Sequence, residues 1–207
     1  MKTKLPKLNF IGLHGKMQSG KDTLATHLQR GAEGYRCLPV SFALPLKKAC
    51  QTLFGGGHNN YFGTNAEKDE ATTFWEERLG ENFRSYRSIL QWVGTDLFRA
   101  HMHPDFWLYA LEKYLMDELD AGRIVAPRDV IVCSDVRYDN EAHFIKRLGG
   151  LVAHIKRADG KVAETTGIAG HRSEAGLLPS SVDLDYTCTL EEHPRIALEL
   201  VQKVKAL

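Results

Sequence analysis

Gly15-Lys16-Met17-Gln18-Ser19-Gly20-Lys21-Asp22-Thr23 is the stretch from which the rest of the chain is read. It carries the pattern G-x-x-x-x-G-K, in which glycines let successive backbone N–H groups turn inward around a phosphate. A short apolar run, about Leu8–Leu13, precedes it. A helical pattern over about Lys21–Arg30 follows, with Leu24 and Leu28 one turn apart and Gly31 as the stop. The loop thus leaves a strand and opens a helix, whose N-terminus adds positive potential. Gly15, Lys16, Ser19, Gly20, Lys21, Asp22 and Thr23 are expected to line the phosphates of a nucleotide. Lys21 would reach the outer phosphates and stabilise the charge that migrates during transfer. One position departs from the usual pattern. Asp22 stands where a Ser or Thr hydroxyl commonly ligates magnesium. A carboxylate can also bind that ion, directly or through water, and Thr23 remains to bond an inner phosphate. The competing reading is a degenerate loop that binds nucleotide without turnover.

Outward from the loop, short apolar runs alternate with amphipathic helical patterns, which predicts a parallel sheet covered on both faces. Expected strands are Leu8–Leu13, Arg36–Phe42, Val130–Cys133, Leu151–Ile155 and Tyr186–Leu190, five in all. A helix through Leu46–Leu53 ends at Gly55-Gly56-Gly57, and Gly56–Glu70 is polar and aperiodic and reads as a loop. Helical pattern runs with breaks from Thr72 to Gly122. Its firmest piece carries Leu108, Leu111, Leu115 and Leu119 behind Pro104-Asp105. Further helices are expected at Asp139–Leu148, with Asp139 as cap, and at Pro194–Val204. Ala158–Ser181 has no usable period and reads as a lid. The domain is single over 1–207: a core of 8–55, 123–157 and 183–207, a helical insertion of about 56–122, and a lid of about 158–182.

Composition narrows the function classes. The 207 residues are 43% hydrophobic and 26% charged, ordinary for a globular chain long enough to bury a full core. Lys+Arg 27 against Asp+Glu 26 leaves a net charge of +1, which argues against a nucleic-acid polymer as partner. Cys37, Cys50, Cys133 and Cys188 form no C-x-x-C pair and sit among apolar neighbours, as buried thiols in a reducing compartment do. No apolar run suits a membrane span, and Phe10–Leu13 is too short for a signal-peptide core. A cytoplasmic location is expected.

Several residues outside the loop are candidates. Arg87, Gln91, Thr95 and Arg99 fall at successive i+4 steps, a polar stripe opposite Leu90, Val93 and Leu97. A solvated helix face is the plain alternative, yet such faces carry Lys and Glu, and Tyr86–Ala100 holds neither. Arginine suits bidentate phosphate contacts and glutamine suits a base edge. Asp135, at a strand end, is expected to help hold magnesium beside Asp22 or to orient the acceptor, with Arg137 clamping the transferring phosphate. Glu141 is either first-turn helix charge or a partner of Arg137. Arg157, at the lid's edge, is a candidate for transition-state charge, against the alternative of an ordinary exposed arginine. His101 and His103 are better read as a surface pair than as metal ligands. Trp75, Trp92 and Trp107 are most simply core or cleft-wall aromatics.

The string Ser19-Gly20-Lys21-Asp22-Thr23 resembles the phage-type deoxynucleoside monophosphate kinases, where an aspartate commonly follows the lysine. Four further stretches match that family's pattern in order. Ser41-Phe42-Ala43-Leu44-Pro45-Leu46-Lys47 is similar to its second strand and lysine-bearing turn. Arg87–Asp96, continuing to Arg99 and Trp107, is similar to its monophosphate-side helices. Ser134-Asp135-Val136-Arg137-Tyr138-Asp139-Asn140-Glu141 is similar to its acidic strand end, and His171-Arg172-Ser173-Glu174 to its lid motif. The resemblance covers about Leu8 to Tyr186. It implies a three-layer α/β P-loop kinase with a helical monophosphate-binding insertion and a lid. ATP would be co-substrate with Mg2+, and the γ-phosphoryl group would pass to a deoxynucleoside monophosphate. On resemblance alone, Lys47, His171 and Glu174 join the stripe, Arg137 and Glu141 on the acceptor side. Two rivals stay open: another small-molecule kinase of this fold, for dephospho-coenzyme A or phosphomevalonate, and a nucleotide-binding regulator or NTPase switch. The partners implied are small nucleotides, and the sequence leaves a homodimer open.

Overall fold

The structure, a computed structural model, describes residues 4–16, 18–31, 34–160 and 176–207. Residues 4–41, 111–160 and 176–207 cluster into one compact unit and 42–110 into another. The second unit thus begins at residue 42, where the sequence suggests an insertion from about 56.

The first unit is built on a five-stranded parallel sheet of order β2-β3-β1-β4-β5. Its strands are β1 (Asn9–His14), β2 (Cys37–Val40), β3 (Val130–Cys133), β4 (Leu151–Arg157) and β5 (Leu184–Cys188). β1 lies at the centre, with Ile11 beside Val132 of β3 and Leu151 of β4. Parallel strands covered on both faces carry apolar residues at every position, and β3 is buried along its whole length. The two-residue period then sorts side chains between layers. Ile11, Leu13, Val130 and Val132 join one core with Leu24 and Leu28 of α1 (Lys21–Gln29) and Ile196 and Leu200 of α9 (His193–Lys205). On the opposite face, Gly12 lies against Ile145 of α8 (Asp139–Arg147), so close that a Cβ there would be 2.7 Å from the Ile145 Cδ1. Helices on both faces make this the three-layer α/β arrangement the resemblance implies.

Two expectations need correcting in this unit. The last strand runs Leu184–Cys188 and not Tyr186–Leu190, because Ala153 to Arg157 of β4 pair with that earlier segment. Asp139 does not cap α8 from outside; it is the first helical residue. Its Oδ1 instead accepts from the Leu178 N–H at 2.9 Å and the Ser181 hydroxyl at 2.5 Å. The four cysteines are free and buried.

The second unit is helical. In order come α2 (Leu44–Phe54), α3 (His58–Phe62), α4 (Asn65–Lys68), α5 (Thr73–Leu79), α6 (Tyr86–Gln91) and a π-helix at Trp92–Met102, before α7 (Phe106–Asp120). Leu46, Cys50, Tyr61, Phe83, Ile89, Val93 and Trp107 form its core. Fully burying an aliphatic or phenylalanine side chain such as Ile89 contributes about 1.5–3 kcal/mol. The stretch read as a loop, Gly56–Glu70, holds α3 and α4. These are too short to show a period; side-chain caps hold them, the Gly57 N–H donating to Asn60 Oδ1 and the Thr64 N–H to Glu67 Oε2. Among the described residues no helix is long and apolar enough to cross a membrane.

Candidate active site

The glycine loop lies between β1 and α1, and tight packing explains its residue types. A Cβ on Gly15 would lie 2.5 Å from both the Ile155 carbonyl oxygen and the Ser19 hydroxyl. Gly20, with φ of +92°, adopts a left-handed conformation that L side chains avoid, and it is the N-cap of α1. The Ser19 N–H closes the turn onto the Lys16 carbonyl at 3.1 Å. The Ser19 hydroxyl is buried and has no hydrogen-bond partner. An orphaned donor in a loop that admits no side chain at Gly15 suits an oxyanion guest. Lys21 opens α1, its ammonium 3.4 Å from Asp22 Oδ2, with its side chain only 16% exposed. The Asp22 side chain is 76% exposed, and Thr23 is exposed on the same first turn.

The end of β3 meets this turn. The Ser134 hydroxyl donates to Asp22 Oδ1 at 3.0 Å. The next residue, Asp135, faces other partners: the Ser41 hydroxyl donates to its Oδ2 at 2.6 Å and the Cys133 thiol to its Oδ1 at 2.9 Å. Burial and the Asp135 charge push the Cys133 thiol well above its ordinary pKa. Arg137 is exposed. Glu141 is buried, and its Oε2 accepts from the Arg137 N–H at 2.8 Å and the Tyr138 N–H at 3.2 Å. Glu141 therefore orients the Arg137 backbone as well as the helix start. Arg157, ending β4, is paired through Nε and Nη2 with Asp159 at 2.9 and 2.5 Å, a contact that raises its pKa. The oxygen donors Asp22, Ser134 and Asp135 suit a hard cation such as Mg2+. That ion commonly takes one or two carboxylates plus substrate phosphates. Among the described residues no three His, Cys, Asp or Glu side chains converge into an all-protein metal cage.

Three histidines crowd this unit unannounced by any motif. His14 and His154, paired across β1 and β4, have ring centroids 4.9 Å apart. The His14 Nδ1 lies 2.9 Å from the Val136 carbonyl oxygen. His193 is only 1% exposed, has an unpartnered Nδ1, and presses on Gly20, whose Cβ would lie 3.0 Å from its Cε1. Burial lowers the pKa of all three.

The stripe residues lie in the second unit, but not on one regular helix. Arg87 and Gln91 sit on α6, and Thr95 and Arg99 on the π-helix, whose i→i+5 bonding widens each turn and carries an i+4 series off one line. The Trp107 indole N–H donates to the Gly94 carbonyl at 2.8 Å, competing for an acceptor that an α-helix would give to residue 98. Arg87 is engaged locally: its Nε donates to Asp69 Oδ1 at 2.5 Å and its Nη2 to Asn65 Oδ1 at 3.0 Å. Arg99 donates to the Pro104 carbonyl at 3.0 Å. The Gln91 side-chain oxygen is buried with no donor. Lys47, on α2, has its ammonium 5.5 Å from the Phe62 ring centroid. His101 Nδ1 meets the Asp96 carbonyl oxygen, and His103 Nδ1 accepts from the Asp105 N–H. His171 and Glu174 lie outside the described residues.

The family model and the curated relatives name the same kind of protein. The family model for deoxynucleotide monophosphate kinase matches residues 60–187. A protein of Acanthamoeba polyphaga mimivirus described as a deoxynucleotide monophosphate kinase is 35% identical over 155 residues, covering 72% of this chain and 74% of its own. The deoxynucleoside-5'-monophosphate kinase of Escherichia phage T5 is 24% identical over 222 residues, covering 81% and 84%. The crystal structure of TT1252 from Thermus thermophilus aligns over 97% of this chain and 96% of its own, at 19% identity and a TM-score of 0.46. With a glycine loop between the first strand and first helix and the family's pattern across most of its length, this chain belongs to the deoxynucleotide monophosphate kinase family.

Proposed function

We propose that the glycine loop takes the triphosphate of ATP with Mg2+ and that the chain passes the γ-phosphoryl group to a deoxynucleoside monophosphate. The observation that carries the reading is the buried, unpartnered Ser19 hydroxyl inside a loop where Gly15 leaves no room for a side chain. An oxygen of the monophosphate attacks the γ-phosphorus. The bond to the β,γ-bridging oxygen breaks, and ADP leaves with that electron pair. Mg2+, when bound, would offset the charge that develops on the phosphates. Asp22 and Asp135 are the residues for it, directly or through water. Lys16, Ser19, Gly20, Lys21 and Thr23 bind the phosphates, and Arg137 and Arg157 offset charge on the group in flight.

On the acceptor side, Gln91 has the best support, because a base N–H would satisfy its orphaned oxygen. Lys47, Thr95 and Arg99 join it, and Arg87 acts partly by shaping the pocket, since Asp69 and Asn65 hold it. Glu141 works through the Arg137 backbone, and His171 and Glu174 belong to the lid segment about 158–182. Residues 42–110 form the acceptor-binding part of a single kinase domain.

The test is coupled turnover. Purified protein with ATP and Mg2+ receives each deoxynucleoside monophosphate in turn, and ADP and the new diphosphate are followed together. ADP release should be slow alone and faster by orders of magnitude with at least one monophosphate, with diphosphate in equal amount. Release indifferent to every monophosphate would sink the reading. Stimulation only by dephospho-coenzyme A or phosphomevalonate would move the acceptor.

A further inference from the structure

The commonest arrangement around a nucleotide's magnesium pairs a hydroxyl, on the residue after the loop lysine, with a carboxylate at the end of a neighbouring strand. In this chain the residue after Lys21 is Asp22, and the group it meets at the end of β3 is the Ser134 hydroxyl, 3.0 Å from Asp22 Oδ1. The first turn of α1 thus carries a carboxylate in place of the hydroxyl, and the strand end supplies a hydroxyl, Ser134, beside its own carboxylate, Asp135. We propose that Ser134 is a positioning residue for the cation of the glycine loop, holding the Asp22 carboxylate in the orientation in which it meets the metal. The proposal rests on the reading of the loop as an ATP–Mg2+ site.

The fold explains why these two side chains meet. β1 and β3 are adjacent and in register, with Gly12 opposite Cys133, so they leave the sheet side by side. Val130 and Val132 point into the layer shared with α1, and Ser134 continues that alternation as the chain leaves β3. It therefore faces the first turn of α1. Asp135, one residue on, turns to Ser41 and Cys133 instead. Adjacent residues of one strand end thus serve two different carboxylates, Ser134 by holding one and Asp135 by being the other.

Asp22 needs such a holder. Its side chain is 76% exposed, and among the described residues its second oxygen faces the Lys21 ammonium at 3.4 Å. An exposed carboxylate samples several rotamers. Lys21 is also the residue expected to turn towards phosphate, which leaves the Ser134 hydroxyl as the contact that keeps one Asp22 oxygen fixed while the other is presented to a cation. Groups that orient a metal ligand are worth about ten- to hundredfold in metal affinity.

The experiment measures metal binding, not turnover. Mn2+ binding to the protein saturated with a non-hydrolysable ATP analogue is titrated by electron paramagnetic resonance for the wild type, Ser134→Ala, Ser134→Thr, Asp22→Ala, the double alanine variant, and the exchange Asp22→Ser with Ser134→Asp. Analogue binding in EDTA and the melting temperature are recorded for each. Ser134→Ala should weaken Mn2+ by about tenfold, with metal-free analogue binding and melting close to wild type. Ser134→Thr should retain most of the affinity, the double variant should bind no worse than Asp22→Ala, and the exchange should recover much of what either single change loses. Unchanged Mn2+ affinity in Ser134→Ala, or additive losses in the double variant, overturns the proposal. If Ser134→Ala melts early, the threonine and exchange variants decide: affinity lost in both overturns it equally. A wild-type chain that binds no analogue even in EDTA overturns the ATP-site reading itself, and this proposal with it.

Discussion

Lys21 shows how little the loop side chains owe to the fold and how much to their task. Among the described residues its ammonium pairs with the Asp22 carboxylate, 3.4 Å away, and a pair with so exposed a partner stabilises little. Lys21→Met should therefore leave the melting temperature within a degree or two while lowering phosphoryl transfer by at least about 10³-fold. Parallel melting curves and single-turnover assays check both halves; near-normal transfer with normal melting would make the loop structural. At this scale the sequence was informative wherever a backbone demand selects a residue type. Gly15 and Gly20 were legible because nothing else fits there. Ser134 stands within a recognisable motif, yet its contact with Asp22 is not readable in the sequence, since the two stand 112 residues apart. Nothing local in the sequence marks His193, a histidine that packs against Gly20 of another element.

Among elements, α6 and the π-helix after it separate the two kinds of stripe residue. Arg87 is fixed to Asp69 and Asn65, its side chain 15% exposed. Arg87→Ala should cost about 1–2 kcal/mol of stability from lost charge-assisted bonds, discounted for partial exposure. Gln91 makes no bond through its side-chain oxygen, so Gln91→Ala should leave stability nearly unchanged. It should raise the KM for the monophosphate roughly tenfold with little change in the KM for ATP. Urea unfolding and two-substrate kinetics on both variants measure this; a stability loss in Gln91→Ala equal to that of Arg87→Ala would take Gln91 out of the acceptor pocket. The i+4 spacing was visible in the sequence. The π-helix was not, and the Trp107 indole that takes the Gly94 carbonyl lies 13 positions away, outside any local pattern.

For the whole molecule, burial of three histidines near the loop ties stability to pH. Burial is the largest cause of the lowered pKa at His14, His154 and His193. At His14 the Lys21 and Arg137 charges add to it, while the Val136 carbonyl and Asp139 oppose; at His154 and His193 the neighbours His14 and His27 add to it, opposed by Asp185 and by Glu191 and Glu192. The unfolded chain titrates each near 6.5, and the folded chain only at lower pH. The unfolded state thus binds more protons as pH falls through that value. Stability should be full above about pH 7.5 and fall below 6.5, with a slope of up to about 1.4 kcal/mol per pH unit for each extra proton. Urea denaturation at pH 5, 6, 7 and 8 measures it. His193→Gln should flatten the slope, whatever it does to stability at pH 8; an unaltered slope removes His193 from the effect.

What the sequence determined by itself is what short-range physics encodes. The parallel sheet follows from apolar runs alternating with amphipathic helices, and the loop follows from glycines between the first strand and the first helix. The buried thiols follow from cysteines set among apolar residues. Tertiary structure decided which groups meet. Strand pairing moved β5 two residues earlier than its own pattern suggested, because ladder bonds to β4 outweigh local propensity. Side-chain caps made helices of α3 and α4, too short to carry a period. The alternation of β3 aimed Ser134 at α1 while Asp135 met Ser41, 94 positions away. Such contacts join residues far apart along the chain, and their identity depends on the sheet order, which no local window of sequence contains.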